Sequence, residues 1–114
     1  MRISVVGVCA SGKTVLAHRL QQHGYDARSC AQEHSYVPDM WQRIAQPDVL
    51  IYLDAGLETI HRRRPKTTYQ ARDLVEAQHR LRHARQHAHL YITTDGLSEE
   101  EVLAVALRFL ETQT

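Results

Sequence analysis

Apolar residues in this chain fall into short, nearly unbroken runs, separated by stretches where they recur every three or four positions. Ile3 to Gly7 (I-S-V-V-G) and Val49 to Leu53 (V-L-I-Y-L) are runs of the first kind. Such runs suit strands covered on both faces. Leu90 to Thr93 predicts another short strand, and the more polar Tyr25 to Ala31 a weaker one. The helical spacing is carried by Lys13 to His23, with Val15, Leu16, Ala17 and Leu20 in phase and Gly24 as the stop. Met40 to Ala45 predicts a short helix, and residues 57–64 another that ends at Pro65. Residues 70–88 predict a longer helix, with Leu74, Ala77, Leu81, Ala84 and Ala88 on one face. The last helix starts at Ser98, an N-cap with Glu101 as its capping-box partner and Leu97 and Val102 as a staple.

Alternating strands and helices predict an α/β fold. The expected form is a three-layer sandwich, a small, mainly parallel four-stranded sheet flanked by helices. The 114 residues are room for one domain. Ligands of such sheets bind at the carboxyl ends of the strands. Gly7, Glu33 and Asp54 all fall at or just beyond predicted strand ends.

Residues 7–14 read G-V-C-A-S-G-K-T, a gapless G-x-x-x-x-G-K-[ST]. Gly7, Val8, Cys9, Ala10, Ser11, Gly12, Lys13, Thr14 and Val15 are the expected binders of a nucleoside triphosphate. Glycines at both ends free the backbone for turns that aim successive N–H groups at one anion. The helix that opens at Lys13 adds its positive N-terminal end. Lys13 is suited to the β- and γ-phosphates, and the Thr14 hydroxyl to Mg²⁺. Replacing Lys13 with alanine is expected to weaken ATP binding and leave the fold intact.

Together with P-D-V-L-I-Y-L-D-A at 47–55 and T-D-G-L-S-E-E-E-V at 94–102, this loop resembles the P-loop kinases of nucleotides and small metabolites. Thymidylate, deoxynucleoside, shikimate and dephospho-coenzyme A kinases share the layout. The resemblance implies the P-loop NTPase fold, ATP and Mg²⁺ as ligands, and a lid over about 57–70 bearing Arg62, Arg63 and Arg64. Guanidinium groups suit that role because they stay charged and grip phosphate oxygens in pairs. It also implies an acid beside the loop strand that orients Mg²⁺ or the acceptor hydroxyl. Glu33 is the candidate by chain order, and Asp54 remains a second candidate for the metal. Such kinases are usually longer, and only about seventeen residues separate the second predicted strand from Asp48. A homodimer is one way to complete an acceptor pocket.

Charge refines the partner classes. Net charge is +1, yet residues 60–89 hold eight Arg and Lys against Asp73 and Glu76. A local basic segment on a near-neutral chain suggests a focused anion site. Tyr69 is the sole Phe, Trp or Tyr residue inside that segment, which disfavours a nucleic-acid partner. Cys9 and Cys30 fit neither a disulfide framework nor a metal spacing, and no run approaches a membrane span, so a cytoplasmic setting is expected. His79, His83 and His87 recur every four residues, roughly opposite Leu74 and Leu81, and are expected on a solvated face. Arg85 falls within the apolar stripe, and the sequence leaves its partner open.

Three functions compete on these grounds. The first is a minimal kinase that moves the γ-phosphoryl group of Mg-ATP to a small-molecule or nucleotide acceptor. The second is a nucleotide-binding module or sensor without transfer. The third is a nucleic-acid-directed kinase or binding protein.

Overall fold

The computed structural model describes residues 1–113. Strands β1 (Arg2–Gly7), β2 (Asp26–Ser29), β3 (Val49–Asp54) and β4 (Leu90–Thr93) form one sheet in the order β2-β1-β3-β4. Every pairing is parallel, so the sheet is wholly rather than mainly so. The helices are α1 (Lys13–Gln22), α2 (Met40–Ala45), α3 (Leu57–Arg63), α4 (Ala71–Arg80), α5 (Arg82–His87) and α6 (Glu99–Glu111), with a 3₁₀ turn at Gln32–His34. No described helix is long and apolar enough to cross a membrane.

Side chains alternate across a strand, so a sheet with two covered faces needs two cores. Ile3, Val5, Ile51 and Leu53 enter one cluster with Leu16 and Leu20 of α1 and Val102, Ala106 and Leu110 of α6. Val6, Leu50 and Tyr52 enter the other with Trp41, Ile60, Ala77, Leu81 and Ala84 from α2 to α5. Helices therefore flank the sheet on both faces. The central strands β1 and β3 are buried over nearly their whole length, which matches their unbroken apolar runs.

The long helix expected over 70–88 is interrupted at Leu81, a fully buried residue in the second core. Two carbonyls of the last α4 turn are captured by side chains. Arg82 Nη1 donates to the His79 oxygen at 2.7 Å, and Gln32 Nε2 to the Arg80 oxygen at 3.2 Å. Side-chain donors thus replace the helix ladder, and the second helical segment starts afresh. Nothing in the apolar spacing of 70–88 announces this, because the stripe continues in phase across the break.

Of the three stripe histidines, His79 and His87 are exposed as expected and His83 departs. Trp41 Nε1 donates to His83 Nδ1 at 3.2 Å, and the His83 and His87 rings lie 4.3 Å apart. His83 is half-buried against α2 rather than solvated. His87 Nδ1 meets the His83 carbonyl at 2.8 Å and must be the donor. As an acceptor through Nδ1, neutral His83 carries its proton on Nε2, which removes that nitrogen as a metal ligand. Arg85 lies over the Tyr91 ring, 4.7 Å from its centroid.

Candidate functional site

The loop after β1 turns twice through the left-handed region, at Ala10 (φ 59°) and at Gly12 (φ 92°, ψ 17°). Glycine tolerates that conformation, whereas alanine is strained in it. Gly7 does not have positive φ, so its role differs from the expected turn. A Cβ there would run into the Leu53 carbonyl of β3 and lie 2.6 Å from the Ser11 hydroxyl oxygen. The loop packs on β3 so closely that only glycine fits.

Ser11 N–H donates to the Val8 carbonyl at 3.2 Å, and Leu16 N–H to that of Gly12 at 2.9 Å. Gly12 offers no side chain to cap α1. The first-turn amides of a helix have no acceptor within it, so α1 opens on a set of free donors. The Ser11 hydroxyl oxygen is buried and has no partner. An anion at this turn would satisfy the free amides.

These groups face a cleft of about 600 Å³. One wall is Ala10 to Leu16, another is Arg63 and Arg64, and the third is Thr94, Leu97, Ser98, Glu99 and Val102. Gly7 and Val8 lie outside its lining, Val8 in the second core. Cys9 accepts a hydrogen bond at Sγ from Arg64 Nη1 at 3.3 Å. Burial pushes the Cys30 thiol above its ordinary range, and the nearby Glu33 charge adds to this.

Glu33 follows β2 in the 3₁₀ turn, beside the loop strand as expected. Its side chain is only 4% exposed, and its Oε2 is ion-paired with Lys13 Nζ. Its Oε1 is buried and has no partner. Gln32 orders this turn. Its Oε1 accepts from Trp41 N–H at 2.8 Å, and its Nε2 donates to Val37 and Arg80 carbonyls. Tyr69, whose hydroxyl donates to the Asp73 carbonyl at 3.2 Å, is pushed up to about 12 by burial and stays protonated.

The three consecutive arginines part ways. Arg63 donates through Nη1 to the Ala10 carbonyl (2.8 Å) and Thr94 Oγ1 (3.0 Å), and through Nη2 to the Thr94 carbonyl (2.8 Å). It joins the loop after β1 to the segment after β4. Arg64 lines the cleft beside Cys9, and Arg62 is outside the lining.

Of the candidate metal ligands, Thr14 presents a solvent-facing hydroxyl beside the cleft. Asp54 Oδ1 accepts from Ala55 N–H at 3.0 Å and Oδ2 from the Tyr91 hydroxyl at 2.5 Å. Among the described residues no three His, Cys, Asp or Glu side chains converge to hold a metal. A threonine hydroxyl is a hard donor, and with phosphate oxygens it fits Mg²⁺.

Sequence reasoning assigned no role to Asp95 or Thr94. Asp95 accepts from Gly56 N–H at 3.0 Å and from the Thr59 hydroxyl, and so caps α3 from the turn after β4. The signal was the T-D-G step, an aspartate in a tight turn next to a helix start. The Thr59 hydrogen bond, then Gly56 N–H, holds the Asp95 carboxyl below its ordinary 3.8. A depressed carboxyl pKa stabilises the fold above 3.8, and that contribution is lost as pH falls through the lower folded value. Circular dichroism from pH 5 to pH 2 should therefore show Asp95→Asn less stable than the parent at the upper end. The gap should narrow toward the acid end; a constant gap would count against this linkage.

In comparisons with known proteins, no family model matches the chain and no curated protein sequence matches it.

Proposed function

We propose that this chain binds Mg-ATP in the loop from Gly7 to Thr14 and acts as a minimal kinase, passing the γ-phosphoryl group to an acceptor beside Glu33. The supporting observation is the open first turn of α1 above the buried, partnerless Ser11 hydroxyl, with Lys13 alongside. Donors held in place before the ligand arrives need little reorganisation when charge builds on the transferring group. Lys13 and Arg64 supply the positive charge, and Arg63 holds the loop in register. When bound, Mg²⁺ on Thr14 would neutralise phosphate charge. Leu97 and Val102 give the third wall an apolar surface suited to the flat, weakly polar face of a base.

Calorimetric titration with AMP, ADP and ATP in Mg²⁺ buffer tests this assignment. Affinity should rise steeply from AMP to ADP, because the loop holds the β-phosphate and not the α-phosphate alone. Equal affinity for AMP and ATP, or none for either, would remove the loop from the nucleotide site.

A further inference from the structure

We infer that the outer edge of β4 is a self-pairing surface, where a second copy of this chain docks as an antiparallel strand and extends the sheet to eight strands. The inference does not depend on the nucleotide assignment.

The sheet has two edges, β2 and β4, and they are finished differently. Main-chain groups alternate in direction along a strand. Cys30 N–H donates inward to the Val5 carbonyl at 2.9 Å, so Ala27, three positions earlier, turns its main-chain groups outward. Gln21 Nε2 of α1 takes the outward Ala27 carbonyl at 2.7 Å. Asp26 and Arg28 stand on either side of it, with side chains 58% and 80% exposed. Charges and a covering side chain keep an edge strand from pairing. The β4 edge has neither. His89 N–H donates inward to the Leu50 carbonyl at 2.8 Å, and alternation turns the main-chain groups of Leu90 and Ile92 away from β3. Among the described residues none covers these groups with a hydrogen bond from beyond the sheet. The strand reads L-Y-I-T, without charge, proline or glycine, a composition that pairs readily.

This edge is complementary to itself. A two-fold axis through Tyr91 sets Leu90 opposite Ile92 of the second copy, and Ile92 opposite its Leu90. Both pairs then exchange N–H···O=C bonds, and Tyr91 meets its own counterpart as a non-hydrogen-bonded pair, about 4.5 Å between Cα atoms. An aromatic pair at that position adds to the ladder. The Tyr91 ring is already held, stacked on Tyr52, with Arg85 4.7 Å from its centroid and its hydroxyl on Asp54. Little side-chain freedom is left to lose on pairing. Arg85 and Asp54 carry opposite charges that cancel within each copy, so no net charge at Tyr91 opposes its counterpart. Four-residue strands bury far less than the roughly 1,200 Å² of a standard interface, so the dimer is weak. The guarded β2 edge stops growth at two copies. The carboxyl ends of the two sheets then point in opposite directions, and each cleft stays within its own copy. This dimer therefore differs from one that completes an acceptor pocket.

Sedimentation velocity on the full chain reads this directly. The mass should double from 13.1 kDa as concentration rises, with half conversion near about 100 μM. Tyr91→Lys sets like charges across the axis and should weaken the dimer at least about tenfold. Thr93→Lys charges the same rim from an exposed position and should act in the same direction, which keeps the test open if Tyr91→Lys does not fold. Cysteine placement reads the register. In a Cys9→Ser/Cys30→Ser background, Tyr91→Cys should cross-link two copies under mild oxidation, because the paired Cα spacing suits a disulfide. Thr93→Cys should not, since its counterpart lies four residues along the ladder, about 13 Å away.

A chain that stays monomeric up to about 1 mM would overturn the inference. So would a dimer that both lysine variants leave unchanged, which would place the contact elsewhere. Cross-linking of Thr93→Cys without that of Tyr91→Cys would refute the antiparallel register. Assemblies larger than two copies would refute the guard at β2.

Discussion

Replacing Lys13 with alanine is expected to weaken Mg-ATP binding by about 100-fold, close to 2.7 kcal/mol, and also to destabilise the fold. Truncating one partner of a close charge pair at a binding site typically costs about 2–5 kcal/mol. The sequence by itself predicts an intact fold for this variant. The ion pair with the buried Glu33 changes that expectation. Removing one member of a buried pair leaves the other uncompensated, at about 3 kcal/mol or more. The double variant Lys13→Ala/Glu33→Gln should therefore recover most of the lost stability and none of the affinity. Urea midpoints and ATP titrations on both variants measure the two effects separately. A single variant as stable as the parent would mean that Glu33 finds another partner.

The arginines after Thr59 should give three different phenotypes. Arg63→Ala removes three hydrogen bonds, one to Ala10 in the loop after β1 and two to Thr94 after β4. Charged donors contribute about 1.5–3 kcal/mol each in buried settings. This residue is exposed, so a total near 2 kcal/mol is expected, with weaker nucleotide binding because Ala10 loses its anchor. Arg64→Ala should change stability by less than about 1 kcal/mol while lowering turnover more than binding. Arg62→Ala should change neither much. Thermal melts with and without ATP sort the three, and equal behaviour would refute the division of labour.

The α/β layering was legible because strand and helix periods differ and the central strands are buried on both faces. The candidate loop was legible because its spacing is local. Side chains that act between elements were harder to foresee. Gly7 looked like a turn residue, yet its constraint comes from Leu53, a contact across the sheet that no local pattern records. Leu81 continues an apolar stripe, and the break there depends on Gln32, forty-nine positions earlier. Arg62, Arg63 and Arg64 are identical in chemistry, and only their different partners around the end of α3 distinguish them. His83 sits opposite Leu81 on an ideal helix, but an ideal helix does not continue through residue 81, and Trp41 comes to meet the ring.

Two helices begin at the walls of the cleft, and they are electrically unequal. The start of α6 already carries Glu99, Glu100 and Glu101, with Glu101 Oε1 accepting from Ser98 N–H at 3.0 Å and Ser98 Oγ accepting from Glu101 N–H at 3.1 Å. Its positive pole is quenched from within. The start of α1 has no acid in its first turn and no capping side chain, so its pole is left bare. A negatively charged visitor entering between them is sorted to one side before any specific contact forms. The orientation of a triphosphate would thus be biased on entry, tail toward α1 and remainder toward α6.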